Sequence, residues 1–172
     1  MRSRRLLAFG IGAALLVPTV APSAAGAAEG PSSSSVVWLH TQQQTDGGFE
    51  LLGVAGFETS DVILGLAAAS HDTVWDPAEA RLAITSLKLG AADPLTAIAA
   101  LIDGAEDPTS DAAGAQAAKV VALVAGPLGL DVSDFDPADD STDPVDLIAL
   151  MNMHRDASGA YDFGAQFNGT LY

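Results

Sequence analysis

The chain has 172 residues, 49% of them hydrophobic and only 6% aromatic, with 7 basic against 22 acidic residues and a formal net charge of −15. This length suits one ordinary domain, and the absence of cysteine excludes a disulfide scaffold, a thiolate metal site and a cysteine nucleophile. The acidic balance argues against a nucleic-acid partner, which needs a concentrated positive surface.

Residues 1–27 read as a signal peptide. Arg2, Arg4 and Arg5 give a basic start, and residues 6–17 are an apolar run too short to span a bilayer. Pro18 and Pro22 break it, and Ala25-Gly26-Ala27 places small residues at the cleavage spacing. Secretion is therefore expected, with no stable membrane insertion after cleavage. The mature chain would carry four basic residues, Arg81, Lys88, Lys119 and Arg155, against all 22 acidic ones, a net of −18. Such a charge favours solubility and repels anionic polymers and lipid surfaces. Residues 28–35 are small, polar and proline-containing and read as a flexible tether; ordered structure is expected over residues 36–172.

Residues 36–44 read as a short helix ending in the polar turn Thr45-Asp46-Gly47-Gly48. Residues 57–69 read as a second, capped by Thr59, Ser60 or Asp61, with Val62, Ile63, Leu66 and Ala69 on one stripe. A third begins at Asp76, where Asp caps, Pro77 fits the first turn and Glu79 follows three residues on. Ala80, Ile84 and Leu87 line its apolar face and Gly90 closes it. Asp93-Pro94 starts a fourth, running to residue 102. The fifth spans residues 109–125, with Ala113, Ala117, Val120, Val121 and Val124 on one face and Gly126-Pro127 ending it. Asp143-Pro144 starts a sixth through Leu147, Ile148, Leu150 and Met151, and a last apolar stretch begins near Phe167. Asp-Pro occurs at Asp76, Asp93, Asp107, Asp136 and Asp143, taking most of the prolines beyond residue 30. No stretch alternates as a strand would, so the fold class is all-α.

A repeat underlies these helices. Its first copy is Gln44-Thr45-Asp46-Gly47-Gly48-Phe49, followed by a helix. Its second is Asp156-Ala157-Ser158-Gly159-Ala160-Tyr161-Asp162-Phe163-Gly164, followed by Phe167-Asn168-Gly169-Thr170, and lies about 111 residues later. In each a polar turn with Asp and Gly follows one helix, and an aromatic residue comes next. Glycine allows the tight turn, and the aromatic ring can plug between helices.

The stretch from Trp38 through Gln43, Gln44, Asp46, Gly47, Gly48 and Phe49 resembles the repeat of the prenyltransferase and squalene-cyclase superfamily, most closely its secreted actinobacterial members. The later copy keeps Gly159 and Tyr161 but not the glutamine pair. The resemblance implies an alpha/alpha toroid, an array of antiparallel helical hairpins, in which the glutamines and the acidic turn residue tie neighbouring helix ends together. A closed toroid has more hairpins than this chain supplies, so an incomplete array is expected, with an open edge for a partner to cover. The toroid hosts carriers, cyclases and transferases and does not itself specify function.

Catalytic signals are weak. Asp139-Asp140-Ser141-Thr142-Asp143 has a DDxxD spacing suited to magnesium and diphosphate, but it lies in the acidic string 131–146, and Asp143 has a simpler role as a cap. Asp136-Pro137-Ala138-Asp139-Asp140 is one residue longer than the DxDD acid that the resemblance would imply for a cyclase, and aromatic residues are too few to line a carbocation cavity. The zinc site of protein prenyltransferases and the complement thioester both need a cysteine. His40, His71 and His154 have no metal-ligand spacing to one another, and His71 reads as a helix C-terminal cap. No catalytic, cofactor or metal residues are expected. Trp38 and Trp75 are candidates for the wall of a ligand site. The resulting expectation is a non-catalytic, secreted helical-repeat module that binds a small apolar ligand or serves as a surface scaffold. The alternatives are a terpene cyclase or prenyltransferase-like enzyme fragment and a structural portion of a larger exported protein.

Overall fold

The computed structural model describes residues 33–50, 56–71, 74–104, 107–138 and 144–164. The expected signal peptide, most of the tether, Asp139, Asp140, Asp143 and the stretch from Phe167 lie outside the described residues. Within them the chain is all-α: seven α-helices and one π-helical turn, with no strand and only isolated bridges such as Phe135 to Val145. None of these helices is long and apolar enough to cross a membrane.

Helix α1 covers Ser33–Gln42, so residues 33–35 of the expected tether are helical. Helix α2, Thr59–Ala69, buries Ile63, Leu66 and Ala67 on one stripe, while Ala69 is only half-buried. No side chain caps it, contrary to expectation. Thr59 lies inside its first turn, fully buried, and turns its hydroxyl to Phe49 instead. Helices α3, Pro77–Ser86, and α4, Pro94–Asp103, start as expected. Asp76 accepts the amides of Ala78 and Glu79, and Asp93 those of Leu95 and Thr96. Ala80, Ile84 and Leu87 are buried, and Gly90 adopts φ +68 just beyond.

Helix α5, Asp111–Val120, is capped by Ser110 rather than begun at Thr109. Asp107 accepts from the amide and hydroxyl of Thr109 and closes a separate turn. The helical path does not stop at Gly126-Pro127. A π-turn, Val121–Ala125, widens the coil, with the Gly126 amide reaching back to the Val121 carbonyl, and α6, Gly126–Leu128, carries Pro127. Proline lacks an amide and its ring would crowd the carbonyl four residues back; the wider coil precedes that point. The helix ends at Gly129 (φ +60), with the Gly129 amide on the Gly126 carbonyl and the Leu130 amide on that of Ala125. Helix α7, Leu147–Asn152, is capped by Asp146, three residues beyond the expected Asp143. Pro144 precedes Val145, which is engaged with Phe135.

Helix α2 lies at the centre, packed by α3, α4, the π-turn and α6, while α7 packs on α5. Ile63, Ile84, Ile98 and Leu128 are at most 1% exposed, and each such side chain contributes roughly 1.5–3 kcal/mol of transfer free energy. A smaller cluster gathers Ala115, Ala118 and Phe163 on the outer side of α5. The two glycine turns sit beside these two clusters.

Candidate functional site

The first turn begins where α1 ends. The Gln44 amide donates to the Gly48 carbonyl (2.8 Å) and the Gly47 amide to the Gln44 carbonyl (3.0 Å), with Gly47 at φ +90. Asp46 accepts the Gly48 amide at 2.9 Å. Gln43 is buried, and its Nε2 donates inward to the Gly47 carbonyl and outward to the Leu87 carbonyl at the end of α3, both at 3.0 Å. His40 Nε2 donates to the next carbonyl, Lys88, at 2.9 Å. Gln44 stays local, its amide group on the Gln42 carbonyl. Of the glutamine pair, Gln43 thus ties the turn to α3, and Gln44 and Asp46 shape the turn itself. A Cβ on Gly47 would stand 2.4 Å from the Asp93 carbonyl oxygen, so the turn also abuts the start of α4. Phe49 enters the core, its amide on Thr59 Oγ1 at 2.9 Å.

The second turn repeats the two backbone bonds of the first. The Asp156 amide donates to the Ala160 carbonyl (2.9 Å) and the Gly159 amide to the Asp156 carbonyl (3.0 Å), and Gly159 also has φ +90. The offset is 112 residues (Gln44 to Asp156, Gly47 to Gly159), which sets the register that sequence comparison gave only approximately. Arg155 then stands where Gln43 does, and its Nε donates to the Gly159 carbonyl at 3.1 Å, the counterpart of the Gln43–Gly47 bond. Ser158 replaces Asp46, its hydroxyl 3.4 Å from the Ala160 amide. Asp156 accepts from the Ser158 amide and hydroxyl and the Ala160 amide; the Ser158 hydroxyl above all, with these amides, holds its carboxyl below the usual range. Tyr161 replaces Phe49 but is only half-buried, stacked on Phe163 at 5.8 Å with its hydroxyl on Asn152. Arg155 and Ser158 escaped the sequence reading because their residue types differ from Gln43 and Asp46. Placing Gly159 under Gly47 would have found both.

A groove of about 350 Å³ runs between α1 and α2. Trp38, Leu39, Phe49 and Val62 give it an apolar lining, and Trp38 is 62% exposed. Glu50, Glu58 and Asp61 line it as well. Asp61 is paired with the buried Lys119 at 2.6 Å, and Lys119 Nζ also donates to the Phe57 carbonyl (2.6 Å) and lies 4.1 Å from the Phe57 ring centroid. Lys119, which the sequence reading left aside, thereby fixes the start of α2 beside the groove.

Trp75 lies elsewhere, against His71 at 4.3 Å with its indole N–H on the Pro127 carbonyl. Trp75 remains 43% exposed, and of the two tryptophans Trp38 is the one that lines the groove between α1 and α2. His71 does not cap a carbonyl; its Nδ1 accepts the Asp76 amide at the start of α3. His154 Nδ1 lies 3.5 Å from Asp111, its ring filling the space beside Gly114. Among the described residues no three His, Asp or Glu side chains converge on a metal position. Comparison with protein-family models, curated proteins and solved structures found no match to this chain.

Proposed function

We propose that this chain is an exported, non-catalytic helical-repeat module, a partial alpha/alpha toroid of the prenyltransferase and squalene-cyclase kind, that binds a small apolar ligand against Trp38. Support for the repeat relation comes from the two turns with one hydrogen-bond pattern, and support for export from the basic-apolar-small order of residues 1–27. The observation that carries the binding role is the groove itself: a largely exposed indole beside Leu39, Phe49 and Val62. Apolar lining favours a ligand with an apolar body. Glu50, Glu58 and Asp61 line the groove and Lys119 is paired with Asp61, so a positive charge on the ligand suits this lining better than a negative one.

Intrinsic fluorescence tests this reading. In a Trp75→Phe chain, Trp38 is the sole tryptophan. Titration with octyltrimethylammonium below its micelle concentration is expected to give a saturable blue shift, and octyl sulfate under the same conditions none. A shift with neither removes the groove as a binding site; equal shifts with both remove the charge preference.

A further inference from the structure

Asp61, one of the carboxylates lining the groove, has a buried ammonium fixed behind it. Lys119 stands in the last turn of α5 and reaches across to the start of α2. Its Nζ lies 2.6 Å from Asp61 Oδ2, donates to the Phe57 carbonyl at 2.6 Å and sits 4.1 Å from the centroid of the Phe57 ring. Three partners from one short stretch leave the ammonium little freedom to move away. The pair is asymmetric: the Lys119 side chain is 8% exposed and that of Asp61 57%. The carboxylate therefore meets solvent and the groove, and the ammonium lies on its inner side.

A charge held in the interior is screened less than one in water, so its field reaches a neighbouring site with more of its strength. A cation entering the groove beside Asp61 meets the attraction of the carboxylate and the repulsion of the ammonium together. The other described basic side chains, Arg81, Lys88 and Arg155, are engaged by the Leu128 carbonyl, by Asp93 and by the Gly159 carbonyl. Lys119 is the one placed at the groove.

We propose that Lys119 sets the charge specificity of the groove through Asp61, a role that rests on the ligand reading above. Its ammonium offsets the attraction of that carboxylate for a cation. The groove consequently selects amphiphiles chiefly by their apolar body and takes uncharged ones along with singly cationic ones. One unit charge added or removed at this position changes the affinity for a monocation about fivefold, the scale of a partly screened interaction over several ångströms.

The probes are octyltrimethylammonium and uncharged octyl glucoside, each below its micelle concentration, titrated into the full Trp75→Phe chain with Trp38 emission as the readout. The quantity read is the ratio of the two affinities, which a general loosening of the groove leaves unchanged because it weakens both. Lys119→Met is expected to raise the preference for the cation about fivefold, and Asp61→Asn to lower it about fivefold. Lys119→Arg keeps the charge and is expected to keep the parental ratio. The double variant Lys119→Met, Asp61→Asn has the same net charge at the groove as the parent and is expected to return to its ratio. An unchanged or lowered ratio in a helical Lys119→Met chain would overturn the proposal. So would a parental ratio in Asp61→Asn, the variant that decides should Lys119→Met not fold. With either result, saturable shifts in the parent would leave the groove standing as a binding site; a parent that responds to neither amphiphile would remove the groove and the role of Lys119 together.

Discussion

Gly47 and Gly159 share a backbone conformation but not a neighbourhood, and that difference makes a paired test of how the turns work. Both have φ +90, a region that costs an L-residue roughly 1–2 kcal/mol. Alanine at either position incurs this strain. At Gly47 the new Cβ would also stand 2.4 Å from the carbonyl oxygen of Asp93 and 2.7 Å from its amide nitrogen. These are backbone atoms at the cap of α4, and they cannot yield without moving the helix start. Overpacking of this kind adds about 1–3 kcal/mol. At Gly159 the nearest atom is Arg155 Nη2, at 3.1 Å on an exposed side chain that can swing away. Gly47→Ala is therefore expected to cost about 2–5 kcal/mol and Gly159→Ala about 1–2. In urea unfolding followed by circular dichroism, the former midpoint should fall clearly below the latter, with parallel slopes. Equal losses would refute the close approach of the first turn to α4, and negligible losses in both would refute the turn geometry itself.

Thr59→Val keeps the shape of a fully buried side chain but leaves the Phe49 amide without its acceptor; a loss of about 1–3 kcal/mol and faster hydrogen exchange at Phe49 are expected, and a Thr59→Val chain as stable as the parent would show that this bond does not hold the turn to α2. Asp93→Ala is expected to cost about 1 kcal/mol through loss of the α4 cap, whereas Asp107→Ala, on an exposed turn outside any helix, should leave the thermal midpoint unchanged; the reverse order would contradict the cap assignment.

The helical fold was legible where a local signal acts on its own neighbours. Asp76-Pro77 and Asp93-Pro94 mark real helix starts because the cap carboxylate needs only the amides two and three residues on. The same dipeptide misleads at Asp143 because a better-placed cap, Asp146, lies three residues later. Pro127 read as a stop because a proline breaks an ordinary α-helix, and no sequence signal announced the π-turn before it. Thr59 read as a cap, whereas a partner ten residues earlier claims its hydroxyl. At the candidate sites, Gln43, Gly47 and Phe49 were readable from their motif. Lys119 and Arg155 were not, since their roles depend on Phe57, Asp61 and a turn register that only folding brings together.

The divergence between the two turns follows from where each one sits. What they share is carried by backbone bonds and by a glycine at positive φ, which demand no particular side chain at the neighbouring positions. Position 43 is buried beneath α3, and a neutral amide can satisfy two carbonyls there without desolvating a charge. Position 155 is open to water, where a guanidinium keeps its hydration and still supplies the one bond the turn needs. Phe49 and Tyr161 differ in the same sense, the buried ring lacking a hydroxyl and the half-buried one directing its hydroxyl to Asn152. Each substitution thus trades a group fit for burial under a helix for one fit for a wet surface, while the turn beneath stays the same.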